Sequence, residues 1–197
     1  MIGVIDHGAG NLHSVRKALD FLELPSEIVG AVGRFSTCDR LLLPGVGHFG
    51  SAMERLQENA LLPALRAWLR ADRPFLGICL GMQLLFSASE EAPGVPGLDF
   101  FPGQVRAFAC RPRLQIGWNR VRATRASGIW RGSDDEYYYF VNGFHALPED
   151  RGIVAATGDH GGGFVAAVQQ GRVWGVQFHP EKSGAAGLEL LRRWGRS

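Results

Sequence analysis

The chain has 197 residues, 46% hydrophobic and 20% charged, with a formal net charge of +2. That length suits a single α/β domain, residues 1–197, with a real core, and the ordinary apolar content with little net charge excludes a disordered chain. The 27 glycines are scattered among apolar runs without a repeat, which excludes collagen-like and low-complexity chains.

In chain order, Ile2–Ile5 is a short apolar run of the kind buried in a parallel sheet. Asn11 is a good N-cap for a helix on which Leu12, Val15, Leu19 and Leu22 recur at helical spacing. Glu27–Ala31 and Leu41–Leu43 read as the next strands, the latter ended by Pro44-Gly45. A helical stretch then runs through Met53, Leu56, Leu61, Leu65 and Leu69, with a break near Pro63. Phe75–Ile78 is another buried strand, followed at once by a helix through Met82–Phe86. This alternation is the pattern of a doubly wound sheet. From Gly94 onward the texture changes to short strands joined by glycine-rich turns: Gln104–Phe108, Asn119–Ala123, Tyr137–Val141, Ile153–Thr157, Phe164–Val168 and Val173–Phe178. Leu188–Trp194 closes as a helix. The expectation is an α/β fold with a mostly parallel central sheet flanked by helices and additional antiparallel strands in the second half.

Charge and cysteine usage narrow the class. Of the 21 basic residues only Lys17 and Lys182 are lysine, and the overall balance gives little support for nucleic-acid binding. The arginine-rich stretch from Arg106 to Arg131, ended by Asp134, Asp135 and Glu136, reads as a solvated basic face, with a partner surface as the alternative. Cys38, Cys79 and Cys110 offer neither a disulfide framework nor zinc spacing. The N-terminus reads as a strand rather than a signal peptide, and the longest apolar run, Pro74 to Phe86, is shorter than the roughly 18 residues of a membrane span. A cytoplasmic protein with no membrane association is expected.

Three segments can carry chemistry. Gly77-Ile78-Cys79-Leu80-Gly81 lies where a buried strand turns into a helix, a thiol version of the G-x-S-x-G nucleophile elbow. The following helix would aim its first N–H groups at the sulfur and favour the thiolate. Taken alone, the segment reads equally as a small core cysteine between packing glycines. In Phe178-His179-Pro180-Glu181-Lys182-Ser183, proline biases the residue before it toward extended backbone. Side chains two apart in an extended segment point the same way, so Glu181 can orient the His179 ring while its other nitrogen faces a thiol. By itself such a turn is more often plain loop. Pro44-Gly45-Val46-Gly47, at the end of a parallel strand, can present a backbone N–H to an oxyanion, with Leu80 as the second donor, or be a mere tight turn. It lacks the pattern of a phosphate loop.

Together and in this order, Pro-Gly-Val-Gly, Gly-Ile-Cys-Leu-Gly-Met-Gln and Phe-His-Pro-Glu resemble the class I, triad-type glutamine amidotransferases. Asp6-His7-Gly8-Ala9-Gly10-Asn11-Leu12, Gly117-Trp118-Asn119, Tyr139-Phe140-Val141 and His179-Pro180-Glu181-Lys182-Ser183 narrow the resemblance to the glutaminase subunits of imidazole glycerol phosphate synthases. The resemblance spans essentially the whole chain. It implies Cys79 as nucleophile, His179 as base, Glu181 as its orienter, and Val46 and Leu80 as oxyanion-hole donors. It implies Gln83, with Gly45, Gly47, Asn142, Gly143 and Phe144, at the substrate glutamine, and no metal or organic cofactor. Asn11 and Lys182 would touch a (β/α)₈-barrel cyclase subunit in a heterodimer. That partner would combine the released ammonia with a phosphoribulosyl formimino carboxamide ribonucleotide, giving imidazole glycerol phosphate and an aminoimidazole carboxamide ribonucleotide in histidine biosynthesis. The chain departs from this pattern at His7, at Arg113-Leu114-Gln115-Ile116 and at Asn142-Gly143-Phe144, the last at the glutamine pocket. Three rival readings are the glutaminase of another amidotransferase, such as anthranilate synthase, a non-catalytic scaffold of the same fold, and a free-standing thiol hydrolase.

Overall fold

The computed structural model describes residues 1–8, 11–124, 129–130 and 135–197. Ala9 and Gly10 of the opening motif, and Arg125, Arg131 and Asp134 of the charged stretch, lie outside the described residues. The first half alternates as its periodicity dictates: strand β1 (Ile2–Ile5), helix α1 (Leu12–Phe21), strands β2 (Ser26–Val29) and β3 (Arg40–Leu43), helices α2 (Phe49–Glu58) and α3 (Leu62–Arg70), and strand β4 (Phe75–Ile78). The helical break falls over 59–61, with Pro63 accepted in the first turn of α3, where a missing N–H costs nothing. Asn11 holds the N-cap position of α1, but its side chain makes no capping bond.

Beyond β4 the structure departs from the expected helix. Helix α4 is a single turn, Leu80–Gln83, and Phe86 begins strand β5 (Phe86–Ser89) instead. Strand β5 pairs in parallel with β6 (Phe101–Ala107), so a partner distant in the chain takes over the apolar run. The remaining strands are β7 (Gln115–Ala123), β8 (Asp135–Asn142), β9 (Phe144–Pro148), β10 (Val154–Asp159), β11 (Gly163–Gln170) and β12 (Val173–Val176), before helix α5 (Gly184–Arg196).

The twelve strands among the described residues join one sheet, with the path β2-β1-β3-β4-β12-β11-β10-β7-β8 and a branch through β9 and β6 to β5. The run from β2 to β12 is parallel throughout. From β11 onward the path is antiparallel. Alternation along each strand loads both faces of the sheet. Leu41, Leu43 and Phe75 pack with Phe49, Leu56, Leu65 and Trp68 on one face. Leu42, Leu76 and Ile78 pack with Val15, Leu19, Leu190 and Trp194 on the other. Both clusters are essentially dry, so the carboxyl ends of β3, β4 and β12 are rigid mounts for whatever projects from them. Among the described residues, no helix is long and apolar enough to cross a membrane.

Candidate active site

Cys79 sits between β4 and α4 with φ 53° and ψ −107°, a conformation that a residue with a Cβ avoids. Close packing of backbone holds it there. A Cβ on Gly81 would lie 1.9 Å from the Leu43 carbonyl oxygen, and one on Gly77 would lie 2.5 Å from the Gly81 carbonyl oxygen. Only glycine lets β3, β4 and α4 meet this tightly. The Cys79 N–H donates to Val176 at 2.7 Å, and its carbonyl accepts from Met82 and Gln83, each at 3.1 Å. The sulfur is thereby fixed at the end of the parallel sheet.

His179 follows β12, the strand next to β4, and is buried with its Nδ1 2.9 Å from Glu181 Oε1. Cys79 and Glu181 are the two side chains whose proximity favours its protonated form. The expectation that Glu181 faces His179 along extended backbone is corrected. His179 itself is extended, at φ −101° and ψ 94°, but Pro180–Lys182 forms a 3₁₀ turn. Proline at the first position pre-sets that turn, and the turn folds the carboxylate back onto the ring. Ser183 locks the arrangement: its hydroxyl donates to the His179 carbonyl at 2.6 Å and accepts from the Tyr139 N–H at 2.9 Å. Burial opposes protonation of His179, but hydrogen bonds to Cys79 and Glu181 and their negative charge outweigh it and raise its pKa to about 10. The site can therefore hold an imidazolium.

The Pro44–Gly47 turn lies against the elbow in an orientation that the sequence does not announce. The Leu80 N–H points to the Gly45 carbonyl oxygen at 3.4 Å. In a planar trans peptide the C=O and the following N–H point opposite ways. The Val46 N–H is thus turned away from Leu80, and the two expected donors do not converge. Val46 is 40% exposed, and Gly47 has φ +107° with open space around it. On the other side, the Pro44 carbonyl meets Nε2 of buried His7 at 2.9 Å.

A cavity of about 160 Å³ opens beside Cys79, between Val46, Gly47 and Leu80 on one wall and Asn142, Gly143 and Phe144 on the other. Gln83 lines it, but its Nε2 already donates to Phe144 and Gln177. Gly45 lies just behind, where a Cβ would meet Leu80 at 2.8 Å. Asn142 ends β8 and Phe144 starts β9, so the single residue Gly143 separates two strands. Sequence reasoning missed Leu114, Val141 and Glu91 on the cavity wall and Gln177 behind the sulfur. Glu91 gave no signal because it looks like a solvated charge, yet it accepts the Phe49 N–H at 2.7 Å. Asn11 is half-buried and Lys182 exposed, both away from the cavity wall.

This constellation, a strained cysteine at a strand–helix elbow with a buried His–Glu pair just beyond the neighbouring strand, fits a triad amidotransferase. The chain belongs to the class I glutamine amidotransferases, whose family model matches residues 3–195. Solved structures agree on the fold: a glutamine amidotransferase aligns with TM-score 0.75 and 19% identity over 98% of both chains. PurLQS from Thermotoga maritima aligns with TM-score 0.76 and 15% identity over 98% of this chain and 96% of that one. Within the class, the chain belongs to the HisH subunits of imidazole glycerol phosphate synthase. It is 43% identical to that subunit from Moorella thermoacetica, over 98% of this chain and 93% of the relative. It is 41% identical to the one from Methanothermobacter thermautotrophicus, over 98% and 97%. It is also 40% identical, over 98% of its length, to 34% of the longer chloroplastic imidazole glycerol phosphate synthase hisHF of Arabidopsis thaliana.

Proposed function

We propose that the chain is the glutaminase subunit of an imidazole glycerol phosphate synthase. The Cys79 thiolate attacks the side-chain carbonyl of glutamine and the carbonyl oxygen becomes the oxyanion. His179 protonates the departing ammonia, leaving a thioester. Water, deprotonated by the same imidazole, then releases glutamate and restores the thiolate. Glu181 holds the ring and balances its charge. Glu91 supplies a carboxylate on the wall of the cavity for the α-ammonium group of glutamine. The observation that carries this reading is the Cys79–His179–Glu181 line at the mouth of a cavity of glutamine's size.

Ammonia made here would pass to a cyclase subunit. The longer plant relative, of which a chain like this forms about a third, is consistent with the ammonia-using part being a separate body. A surface for docking adjoins the cavity at Val141. The outer face of the β7–β8 ladder pairs Ile116 with Val141 and Trp118 with Tyr139, and Ile116 and Trp118 are 63% and 56% exposed. Exposed apolar side chains in such a row favour a covering partner. Trp118 also lies over Gly184, two residues from Lys182, so the charge and the ladder share one face.

Synthesis by the purified cyclase, supplied with glutamine or with ammonium salt, tests the whole reading. Cys79→Ala should abolish glutamine-dependent synthesis and leave ammonia-dependent synthesis intact, because the two chemistries sit on different chains. Glutamine hydrolysis by the Cys79→Ala protein would overturn the assignment of the nucleophile.

A further inference from the structure

Gln177 follows β12, two residues before His179, and is completely buried. A primary amide taken out of water needs partners for its donors and its acceptor. Here the partners form a row whose polarity has a single origin. The Phe144 backbone carbonyl can only accept, and it receives Gln83 Nε2 at 3.2 Å and Asn142 Nδ2 at 2.9 Å. That contact fixes which end of the Gln83 amide is nitrogen. The same nitrogen donates to Gln177 Oε1 at 3.0 Å. With its oxygen so occupied, Gln177 must turn Nε2 the other way, and there it meets Cys79 Sγ at 3.6 Å.

We infer that Gln177 is a positioning residue that donates a hydrogen bond to the Cys79 sulfur, favouring and aiming the thiolate, and that Gln83 acts through Gln177. The inference rests on Cys79 being the nucleophile. An N–H group aimed at sulfur favours S⁻ over S–H, because the anion is the stronger acceptor. The sulfur also faces the Val141 carbonyl at 3.9 Å, an acceptor that a thiol can use and a thiolate cannot. The row thus ties the wall of the glutamine cavity, at Phe144, to the ionisation of the nucleophile. The titratable groups that face the sulfur are His179, backed by Glu181, with Glu91 across the cavity. A change at Gln177 leaves all three in place.

The test is the pH profile of Cys79 alkylation by iodoacetamide in the full chain, read by mass spectrometry of the Cys79 peptide, alongside glutamine turnover. Gln177→Met keeps the length and removes the donor; the midpoint of the profile should rise by about one pH unit, the scale of one hydrogen bond to an ion, and kcat should fall about tenfold with KM nearly unchanged. Gln177→Glu keeps an acceptor for Gln83 but sets a carboxylate against the sulfur, so its midpoint should rise further. A purely structural Gln177 would leave the Met variant with the wild-type profile, and that result overturns the inference. Should neither variant fold, the unaltered chain decides: the Gln177 side-chain N–H resonances should move with pH in step with alkylation and stay still in Cys79→Ala. Resonances that ignore the sulfur sink the inference. Failure of the underlying reading looks different, since Cys79→Ala would then still hydrolyse glutamine.

Discussion

The two walls beside Cys79 are built on opposite plans. The elbow wall is over-determined: Gly77 and Gly81 admit no side chain, the Cys79 N–H is tied to Val176, and His179 is clamped through Ser183 to β8. The Pro44–Gly47 wall is loosely held, with Val46 partly exposed, Gly47 in open space and the Gly45 carbonyl occupying the Leu80 donor. One wall is assembled before substrate arrives and the other is not. On the proposed reading, nucleophile and base are ready at rest, while stabilisation of the oxyanion awaits rotation of one peptide. Two glycines make that rotation cheap.

Damage to the assembled wall should give the largest effect. His179→Ala should reduce glutamine turnover by about 10⁴-fold or more, and Glu181→Gln by less, since an orienting group improves a base that still works poorly alone. The reverse ranking would dissolve the assignment of roles. The same pair sets a pH dependence of stability. Folding raises His179 from its ordinary 6.5 to about 10, so the folded state holds the proton more tightly. This stabilisation is fully present below pH 6.5 and is lost as pH rises through about 10. Thermal unfolding between pH 6 and 10 should show that decline, and Glu181→Gln should shift it to lower pH. Identical profiles for the two proteins would break the link.

The unassembled wall sets the next largest effect. A missing oxyanion donor typically costs about 10²–10³ in rate. The isolated chain should hydrolyse glutamine slower by that factor than the complex with a nucleotide-loaded cyclase, which would favour the state with the Val46 N–H turned inward. Glutamine hydrolysis by the chain alone, by the complex, and by the complex with nucleotide checks this. Equal rates in all three would mean that the difference between the walls has no kinetic meaning.

The assembled wall was also the more legible in the sequence. Its glycines announce a close approach of backbone that only they permit and its proline a fixed φ, so Cys79, His179 and Glu181 can be singled out by local chemistry. The turn that brings Glu181 to His179 was misjudged, because proline is compatible both with extended backbone after a strand and with the start of a 3₁₀ turn. Strand β5 was hidden because Leu84, Leu85 and Phe86 are buried whatever their backbone does, and only pairing with Phe101–Val105 decides it. Strand β9 was hidden likewise, since its partner β6 lies far upstream. Gln177 and Glu91 carry no local mark at all. Their meaning comes from neighbours far away in the chain, Gln83 and Phe144 for the one and Phe49 for the other. The orientation of the Gly45–Val46 peptide is not encoded in residue type, because glycine permits both.

The smallest effect belongs to the surface that would connect the partner to the loose wall. Lys182 is exposed, directly follows Glu181 and lies beside the Trp118 end of the apolar ladder, where a cation can pair with a carboxylate across an interface. Its charge does not touch the cavity, so its removal should leave the assembled wall alone. Lys182→Ala should weaken complex formation, or its activating effect, by about 1–3 kcal/mol, the range for an interfacial charge pair. An exposed pair is screened by salt, so wild type and variant should converge as ionic strength rises. Titration of the cyclase into each protein, at low and high salt and with nucleotide present, reads both quantities. An unchanged dissociation constant together with unchanged activation would make Lys182 a solvated side chain, and would leave the aromatic ladder alone to carry the contact.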